Sequence, residues 1–474
     1  MKQEIESIER NKTWHLTKLP AGHKAIGLKW VYKVKRDANG DINKYKARLV
    51  AKGYVQKQGL DFDEVFAPVA RMETVRLILA LAANEGWKVH HLDVKSAFLH
   101  GNLKEEVYVQ QPQGFEKKGS ENMVYRLDKA LYGLRQAPRA WNHKLDQTLK
   151  ELGFDRCSYE QAVYKQTDQD GISIVGVYVD DLIVTGSSSQ KTRNFVKQME
   201  SKFEMINLGL LSYYLGIEVE QGTSGIVLKQ SSYARKLLDM TQMQDCNPCR
   251  YPMEPKMKLT REENGPGVDE TNRFMASPKE IHRKAVKHIL RYVKGTVDHG
   301  IKSYKGGGKE LLGYSDSSFA TDQYDGKGTT GLVFFFGGGP IAWASTKQQT
   351  VALSSCEAEF MAATATACQA IWLQNVLKEL TGWETKKVKL KVDNKSAIEL
   401  MKNPVFHGRS KHIDTRYHFI RECIEKELIV VEHVCGEDQV ADILTKALPK
   451  LKFEEMKGKL GVKDFTNPGQ KLGG

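Results

Sequence analysis

Long apolar runs are missing from this chain. Stretches such as Leu77-Ile78-Leu79-Ala80-Leu81 and Val333-Phe334-Phe335-Phe336 fall far short of the roughly 20 residues that span a bilayer, so no membrane role is expected. Cysteine is sparse and odd in number, seven at 157, 246, 249, 356, 368, 423 and 435. That argues against a disulfide scaffold and for a reducing compartment. Cys246-x-x-Cys249 is the one close pair. With no second pair or His cluster beside it, the pair does not read as a zinc or redox site. The chain has no G-x-x-x-x-G-K-[ST], no G-x-G-x-x-G and no H-E-x-x-H, which excludes the P-loop, dinucleotide and zinc-protease signatures. No repeat occurs at solenoid periods. Met1-Lys2-Gln3-Glu4-Ile5-Glu6 is mixed in charge and has no signal-peptide pattern.

What is present is ample charge and enough chain for several cores. The 474 residues are 41% hydrophobic and 27% charged, the balance of a globular protein with roughly two to four domains. The net charge of +13 is concentrated. Residues 24–57 hold ten Lys/Arg against Asp37 and Asp41, and residues 273–309 hold ten against Glu280 and Asp298, so each block nets +8. Basic patches this dense face polyanions.

Strand-like residues 26–35, a turn at Asp37-Ala38-Asn39-Gly40 and an extended Lys44–Tyr54 form a basic hairpin. Helices are expected over Thr74–Ala83, most of Ala130–Leu152, Gln190–Phe203 and Tyr233–Met240, and strands over Val89–Val94, Tyr213–Glu218 and Gly225–Leu228. Prolines 248, 252, 255 and 266 with Gly265 and Gly267 mark a linker over 247–273. Ser277-Pro278-Lys279-Glu280 then starts a helix with Ile281, Ala285, Ile289 and Val293 on one face and Lys284, Lys287, Arg291 and Lys294 on another. Such a basic stripe suits a phosphate backbone. Beyond a glycine-rich connection, strands are expected at about 311–316, 329–337, 340–345, 387–392 and 428–434. The helices there lie at about 355–380, 395–402, 414–427 and 437–447.

Carboxylates gather at the ends of these elements. In Tyr178-Val179-Asp180-Asp181 two adjacent acids stand at the tip of a hairpin between Ile172–Val177 and Leu182–Val184. Alone, Asp-Asp is an ordinary turn dipeptide; with Asp93 at the end of the strand before it, the three acids suit two Mg²⁺ ions and a triphosphate. Downstream, Asp316 ends a strand, Glu357 opens a helix, Asp393 ends another strand and Asp442 lies in the last helix. Singly, Glu357 reads as a capping-box partner of Ser354 and Asp393 as a helix cap. Together the four acids could hold two divalent ions for attack on a phosphodiester.

These motifs resemble the reverse transcriptase and ribonuclease H part of a copia-type LTR retrotransposon Pol polyprotein. The likeness is carried by Leu28-Lys29-Trp30-Val31-Tyr32-Lys33-Val34-Lys35, Lys46-Ala47-Arg48-Leu49-Val50-Ala51-Lys52-Gly53, Leu92-Asp93-Val94-Lys95-Ser96-Ala97-Phe98-Leu99-His100-Gly101 and Leu131-Tyr132-Gly133-Leu134-Arg135-Gln136-Ala137-Pro138-Arg139-Ala140-Trp141. Tyr178-Val179-Asp180-Asp181, Asp316, Glu357, Asp393-Asn394-Lys395-Ser396-Ala397 and Ala441-Asp442-Ile443-Leu444-Thr445-Lys446 extend it over nearly the whole chain. The resemblance implies a multidomain α+β and α/β fold. A right-hand polymerase with fingers and palm over 1–246 would lead into a short thumb, connection and linker over 247–310. A ribonuclease H-like five-stranded mixed sheet over 311–450 and a tail over 451–474 would follow.

The implied activity is RNA-directed DNA polymerisation coupled to cleavage of RNA in RNA–DNA hybrids, with two Mg²⁺ or Mn²⁺ ions per site. The implied partners are an RNA template, a DNA primer, the hybrid and dNTPs, with other Pol or Gag products of the element a further possibility. Asp93, Asp180 and Asp181 would be the polymerase metal ligands, and Asp316, Glu357, Asp393 and Asp442 those of the nuclease. Phe98 matches the steric gate against a ribose 2′-hydroxyl, Arg48 the finger arginine on the triphosphate, and Gln136 and Tyr178 the nucleotide pocket. Lys284, Lys287, Arg291, Lys294, Lys411 and Arg416 would face nucleic acid. Three features depart from the family pattern. The apolar block usually found between segments like Asp269-Glu270-Thr271 and Arg273-Phe274-Met275 is absent, Ser318-Phe319-Ala320-Thr321-Asp322 is a loose match, and the gag, protease and integrase parts are not in the chain. The alternatives are a decayed copy that binds nucleic acid without turnover and a nuclease alone.

Overall fold

The computed structural model describes residues 1–36, 42–255, 280–320, 325–384, 386–402 and 414–466. Its contacts group the chain into two compact units, Met1–Arg71 with Val89–Leu210, and Met72–Lys88 with Leu211–Gly474. The turn expected at 37–40 and the helix start at 277–279 lie outside the described residues. Among the described residues no helix is long and apolar enough to cross a membrane.

The first unit is built on a six-stranded sheet. Its order is Met205–Leu210, Val89–Val94, Asp181–Gly186, Gly171–Tyr178, Val163–Asp168 and Asp155–Arg156. Alternation decides what each strand shows. In Val89–Val94, Leu92 and Val94 are buried while His91 and Asp93 stay half-exposed, because successive side chains take opposite faces. Helices Ala137–Glu151 and Ser189–Lys202 close the apolar face, with Trp141, Leu145, Leu149, Phe195 and Met199 meeting Val175, Val177, Leu182 and Val184. Each such side chain, fully buried, contributes about 1.5–3 kcal/mol. Ser188 caps the second helix by accepting from the Lys191 N–H.

A second core in this unit joins the N-terminal helix Lys2–Arg10, a three-stranded sheet (Trp14–Thr17, Val124–Lys129, Asn102–Val109) and the basic hairpin Leu28–Arg36 with Ile42–Ala51. Two motif glycines let the hairpin approach the Leu131–Leu134 segment. A Cβ at Gly133, where φ is +92°, would lie 2.2 Å from the Ala51 carbonyl oxygen, and one at Gly53 would lie 2.0 Å from that of Gly133. Only glycine fits both the conformation and the space.

The second unit carries two five-stranded sheets. One runs Gly339–Lys347, Thr329–Phe336, Leu311–Ser318, Val388–Val392, Ile429–His433, antiparallel through its first three strands and parallel through its last three. Helix Ser355–Thr381 packs on it. Ser354 caps the helix start, and Gly382 in the left-handed conformation ends it with its N–H on the Lys378 carbonyl. Helices Lys395–Lys402 and Asp414–Glu425 follow. The expected helix over 437–447 is instead a 3-10 turn, Val440–Leu444. Segment 451–466, expected as tail, includes most of helix Lys450–Lys459, whose Phe453 and Met456 pack with Leu448, Tyr251 and Tyr292. The other sheet, Tyr213–Tyr214, Ile217–Gly222, Gly225–Lys229, His299–Tyr304, Lys463–Asp464, gathers strands remote in sequence.

The helix Met72–Glu85 also belongs to this unit; ten of its residues are buried, as an all-round apolar helix requires. Helix Glu280–Gly295 differs from its sequence reading. It buries His282, Ala285 and Leu290, whereas Ile281 and Ile289 are exposed.

Candidate functional sites

The first cluster arises from strand register. Asp181 pairs directly opposite Asp93 in the antiparallel ladder and opposite Tyr178 across the hairpin, leaving Val179 and Asp180 as the two-residue turn. Val179 adopts φ +57°, a strained value for a β-branched residue, and the indole Nε1–H of Trp141 donates to its carbonyl at 2.6 Å. Asp93, Asp180 and Asp181 thus share one strand end. Burial raises the Asp180 carboxyl above its usual range; Asp181 and Asp93 raise it further, while a backbone hydrogen bond and Arg48 oppose the rise. His91 Nε2 lies 3.0 Å from Asp181 Oδ1 and orients that carboxylate.

Asp93 and Asp180 line a cavity of about 550 Å³ with Arg48, Lys46, Lys95, Ser96 and the N-terminal helix residues Glu4, Ser7 and Arg10. The Arg48 guanidinium lies 4.4 Å over the Tyr132 ring, held there by the Ala51 N–H bond to the Tyr132 carbonyl at 2.7 Å. Burial pushes the Tyr132 phenol up to about 12. Acids and cations alternate in this lining, Glu204 pairing with both Arg10 and Lys95, and Arg48 beside Asp93 and Asp180 offers a cation to a phosphate chain and carboxylates to its counter-ions. Phe98 tilts against Tyr132 at 4.8 Å between ring centres and packs against both cores. Tyr178 is half-buried. Gln136 is placed differently. It is fully buried, accepts from Gln56 Nε2 at 3.1 Å and donates to the Asp61 carbonyl at 3.2 Å, so its amide serves the protein interior.

The second cluster lies at the strand ends of the mixed sheet. Asp316, Glu359 and Asp393 each bring a carboxylate oxygen within 4.8 Å of the others, the group of this kind found among the described residues. Glu359, not the expected Glu357, is the helix acid that reaches the strands. Glu357 sits at the cap instead, its N–H donating to Ser354 Oγ at 3.1 Å and its Oε2 accepting from the Leu353 N–H at 3.1 Å. Glu359 Oε1 accepts from the Ser317 N–H at 3.0 Å and from Ser317 Oγ at 3.1 Å. Its buried Oε2 has no hydrogen-bond partner among the described residues. Burial and the two aspartates hold the Glu359 carboxyl far above its usual range, and burial likewise raises Asp316 and Asp393.

Asp442 stands beside this group and adds to the upward push on Asp316 and Asp393, with its Oδ1 2.8 Å from Lys446 Nζ. Thr445 donates to Asp316 Oδ2. Gly331, opposite Asp316 in the sheet, makes room for that turn, since a Cβ there would meet Thr445 Cγ2 at 2.6 Å. Sequence reasoning missed Glu359, Thr445, Lys446, Tyr132 and His91 as parts of these sites. For Glu359 the signal was available: a Ser354-x-x-Glu357 capping box engages the first acid and leaves the second to face the sheet.

Of the basic residues, Lys284, Lys287 and Lys294 are exposed on helix Glu280–Gly295, and Arg291 Nε donates to the Asn247 carbonyl at 2.8 Å. Arg416 falls in helix Asp414–Glu425, and Lys411 lies outside the described residues.

The chain is similar to curated proteins across its length. It is 38% identical, over 98% of its own length and 37% of the relative's, to the Retrovirus-related Pol polyprotein from transposon TNT 1-94 of Nicotiana tabacum. Two Arabidopsis thaliana proteins, the Retrovirus-related Pol polyproteins from transposons RE1 and RE2, are 37% and 36% identical over 98% of the chain and 33% and 34% of their own lengths. The chain thus spans about a third of the length of these relatives. Residues 11–255, just over half of it, match the reverse transcriptase (RNA-dependent DNA polymerase) family. They include the hairpin, both core sheets and all three acids of the first cluster, so the chain belongs to the reverse transcriptase family.

Proposed function

We propose that the chain is an RNA-directed DNA polymerase that extends a primer on an RNA or DNA template, coupled to ribonuclease H cleavage of RNA in RNA–DNA hybrids. The observation that carries the reading is the register placing Asp181 opposite Asp93, with Asp180 in the turn just before it and Asp93 and Asp180 lining a cavity together with Arg48. In this reading the basic hairpin serves as fingers and the six-stranded sheet as palm. The stretch 247–310 is the shortened connection, and the mixed sheet over 311–450 is the nuclease. Two all-oxygen donor sets suit Mg²⁺ or Mn²⁺: Asp93, Asp180 and Asp181, and Asp316, Glu359 and Asp393 with Asp442 beside them. The buried Glu359 Oε2, without a hydrogen-bond partner among the described residues, fits such a ligand.

Bound divalent ions would neutralise charge on the attacking and leaving oxygens at each site. Arg48 binds the triphosphate of the incoming dNTP, Tyr132 holds that guanidinium, and Phe98 bounds the space beside the sugar. His91 keeps Asp181 aligned. Lys446 and Thr445 hold Asp316 against its buried neighbours, and the exposed Lys284, Lys287 and Lys294 engage the backbone of the hybrid. The products of each cycle are a primer longer by one nucleotide and pyrophosphate.

Primer extension on poly(rA)·oligo(dT), with Asp181→Asn as control, tests the polymerase. Incorporation by the parent no greater than by that variant sinks it. For the nuclease, cleavage of a labelled hybrid that survives Asp393→Asn removes that acid from the site. Salt-sensitive hybrid binding with no product in either assay would instead mark a decayed copy.

A further inference from the structure

We propose that Cys249 is a reactive thiol served by His288, oxidised by hydroperoxides to a sulfenic acid that Cys246 resolves as a disulfide. The Cys246–Cys249 pair meets its histidine only in the fold, 39 residues further along the chain. The loop bearing the pair is docked on helix Glu280–Gly295. The Cys249 N–H donates to the Arg291 carbonyl at 2.9 Å, and Arg291 Nε donates to the Asn247 carbonyl at 2.8 Å. The approach is close enough that a Cβ at Gly295 would lie 2.8 Å from the Cys249 oxygen.

One helical turn before Arg291, His288 places Nε2 3.4 Å from Cys249 Sγ and 3.0 Å from the Tyr251 carbonyl. A carbonyl only accepts, so Nε2 carries the proton and the sulfur beside it is an acceptor. That proton leaves Nε2 no lone pair for a metal, so the geometry supports thiol chemistry rather than zinc. On the other side of the ring, Nδ1 faces Glu254 Oε1 at 3.8 Å, and the Tyr251 hydroxyl donates to the same oxygen at 3.0 Å. Sulfur, imidazole and carboxylate thus follow one another, Glu254 at ion-pair distance from Nδ1, the order found in activated nucleophiles generally. The imidazole is 13% exposed and Cys249 is half-buried, so the sulfur is shielded but reachable.

The steps balance as follows. The Cys249 sulfur attacks the terminal oxygen of a hydroperoxide. The O–O bond breaks, the leaving alkoxide or hydroxide takes the Nε2 proton, and the thiol proton of Cys249 passes to Nε2 in its place, leaving Cys249 as a sulfenic acid and His288 as it was. Sulfur is oxidised by two electrons and the peroxide reduced. Cys246 then attacks that sulfur, the S–S bond forms, and the sulfenic oxygen leaves as water with the Cys246 proton. Two thiols and one hydroperoxide give one disulfide, one alcohol (water, from hydrogen peroxide) and one water.

The full chain carries its own comparators, the exposed Cys368 and Cys435. Treated with equimolar hydrogen peroxide and mapped by site-resolved mass spectrometry, Cys249 is expected to oxidise at least ~10-fold faster than either, a conservative share of what a positioned proton donor contributes. The parent product is the Cys246–Cys249 disulfide; in Cys246→Ser the sulfenic acid persists at Cys249 and is trapped by dimedone. His288→Asn drops the rate to that of Cys435. Equal rates at Cys249, Cys368 and Cys435 in the parent overturn the proposal whatever the variants do. So does a folded His288→Asn, judged by its melting temperature, that oxidises at the parent's rate.

Discussion

Exchanging the acids of Glu357-Ala358-Glu359 one at a time separates a metal-facing carboxylate from a capping one. Glu359→Gln keeps the oxygen that accepts from Ser317 N–H and Oγ–H but removes a carboxyl that lies against Asp316 and Asp393. Because burial and those aspartates resist its ionisation, which the unfolded chain allows, the metal-free fold gains stability when that carboxyl is replaced. Each pH unit of upward shift is worth about 1.4 kcal/mol, or some 3–5 °C of melting temperature at about 2–4 °C per kcal/mol. Magnesium reverses the order. At about 100 times its dissociation constant an ion stabilises the parent by about 2.7 kcal/mol, and Glu359→Gln loses most of that gain along with ~100-fold or more of hybrid cleavage, the scale of losing one electrostatic stabiliser. Glu357→Gln weakens the cap exchange with Ser354 and Leu353, costs about 0.5–1 kcal/mol, and leaves the magnesium-dependent shift intact. Melting curves in chelator and in magnesium, read beside hybrid cleavage, decide the matter. A magnesium shift abolished by Glu357→Gln and kept by Glu359→Gln would refute the assignment.

The same acids set a pH dependence. Their folded values are raised by burial first, with neighbouring acids adding, so their stabilisation is complete below the ordinary carboxylate value of about 4 and is lost as pH rises. In chelator the melting advantage of Glu359→Gln over the parent therefore grows from pH 5 to pH 8, and a constant gap contradicts the burial argument. Gln136→Leu leaves the Gln56 amide without its acceptor and costs about 1–3 kcal/mol by chemical denaturation, with the KM for dNTP within twofold of the parent. A large rise in that KM in a stable variant would return Gln136 to the nucleotide site. Phe98→Val widens the space beside Tyr132 and raises ribonucleotide incorporation about 10–100-fold in single-nucleotide extension, with an unchanged ratio removing Phe98 from that role. Changing Lys284, Lys287 and Lys294 to alanine together lowers the slope of log affinity against log salt for an RNA–DNA hybrid by about three, and an unaltered slope places the contact elsewhere.

The hairpin tip at Asp180-Asp181 and the strand end at Asp93 were legible because two-residue periodicity and a two-residue turn leave one register that buries Leu92, Val94 and Leu182. The five strands of the mixed sheet were legible within a few residues for the same reason: each is a short apolar run bounded by turn signals. Helix faces were less so. Ile281 and Ile289 looked like a core stripe, yet the partners of that helix take the face of His282, Ala285 and Leu290, a choice no periodicity contains. Nor could composition show that Met72–Glu85 sits with the second unit, or that a strand at 463–464 joins one at 299–304.

The sequence by itself determined which acids end which strands, where the basic blocks lie and, through its ordered motifs, the family. All of these are local matters of pattern and spacing. Only the tertiary structure decided that Glu359 rather than Glu357 meets Asp316 and Asp393, that Lys446 enters that group, that Gln136 turns inward, and that Cys249 finds His288. Each of those depends on which face of an element is buried against a partner remote in sequence, and packing, not propensity, makes that choice.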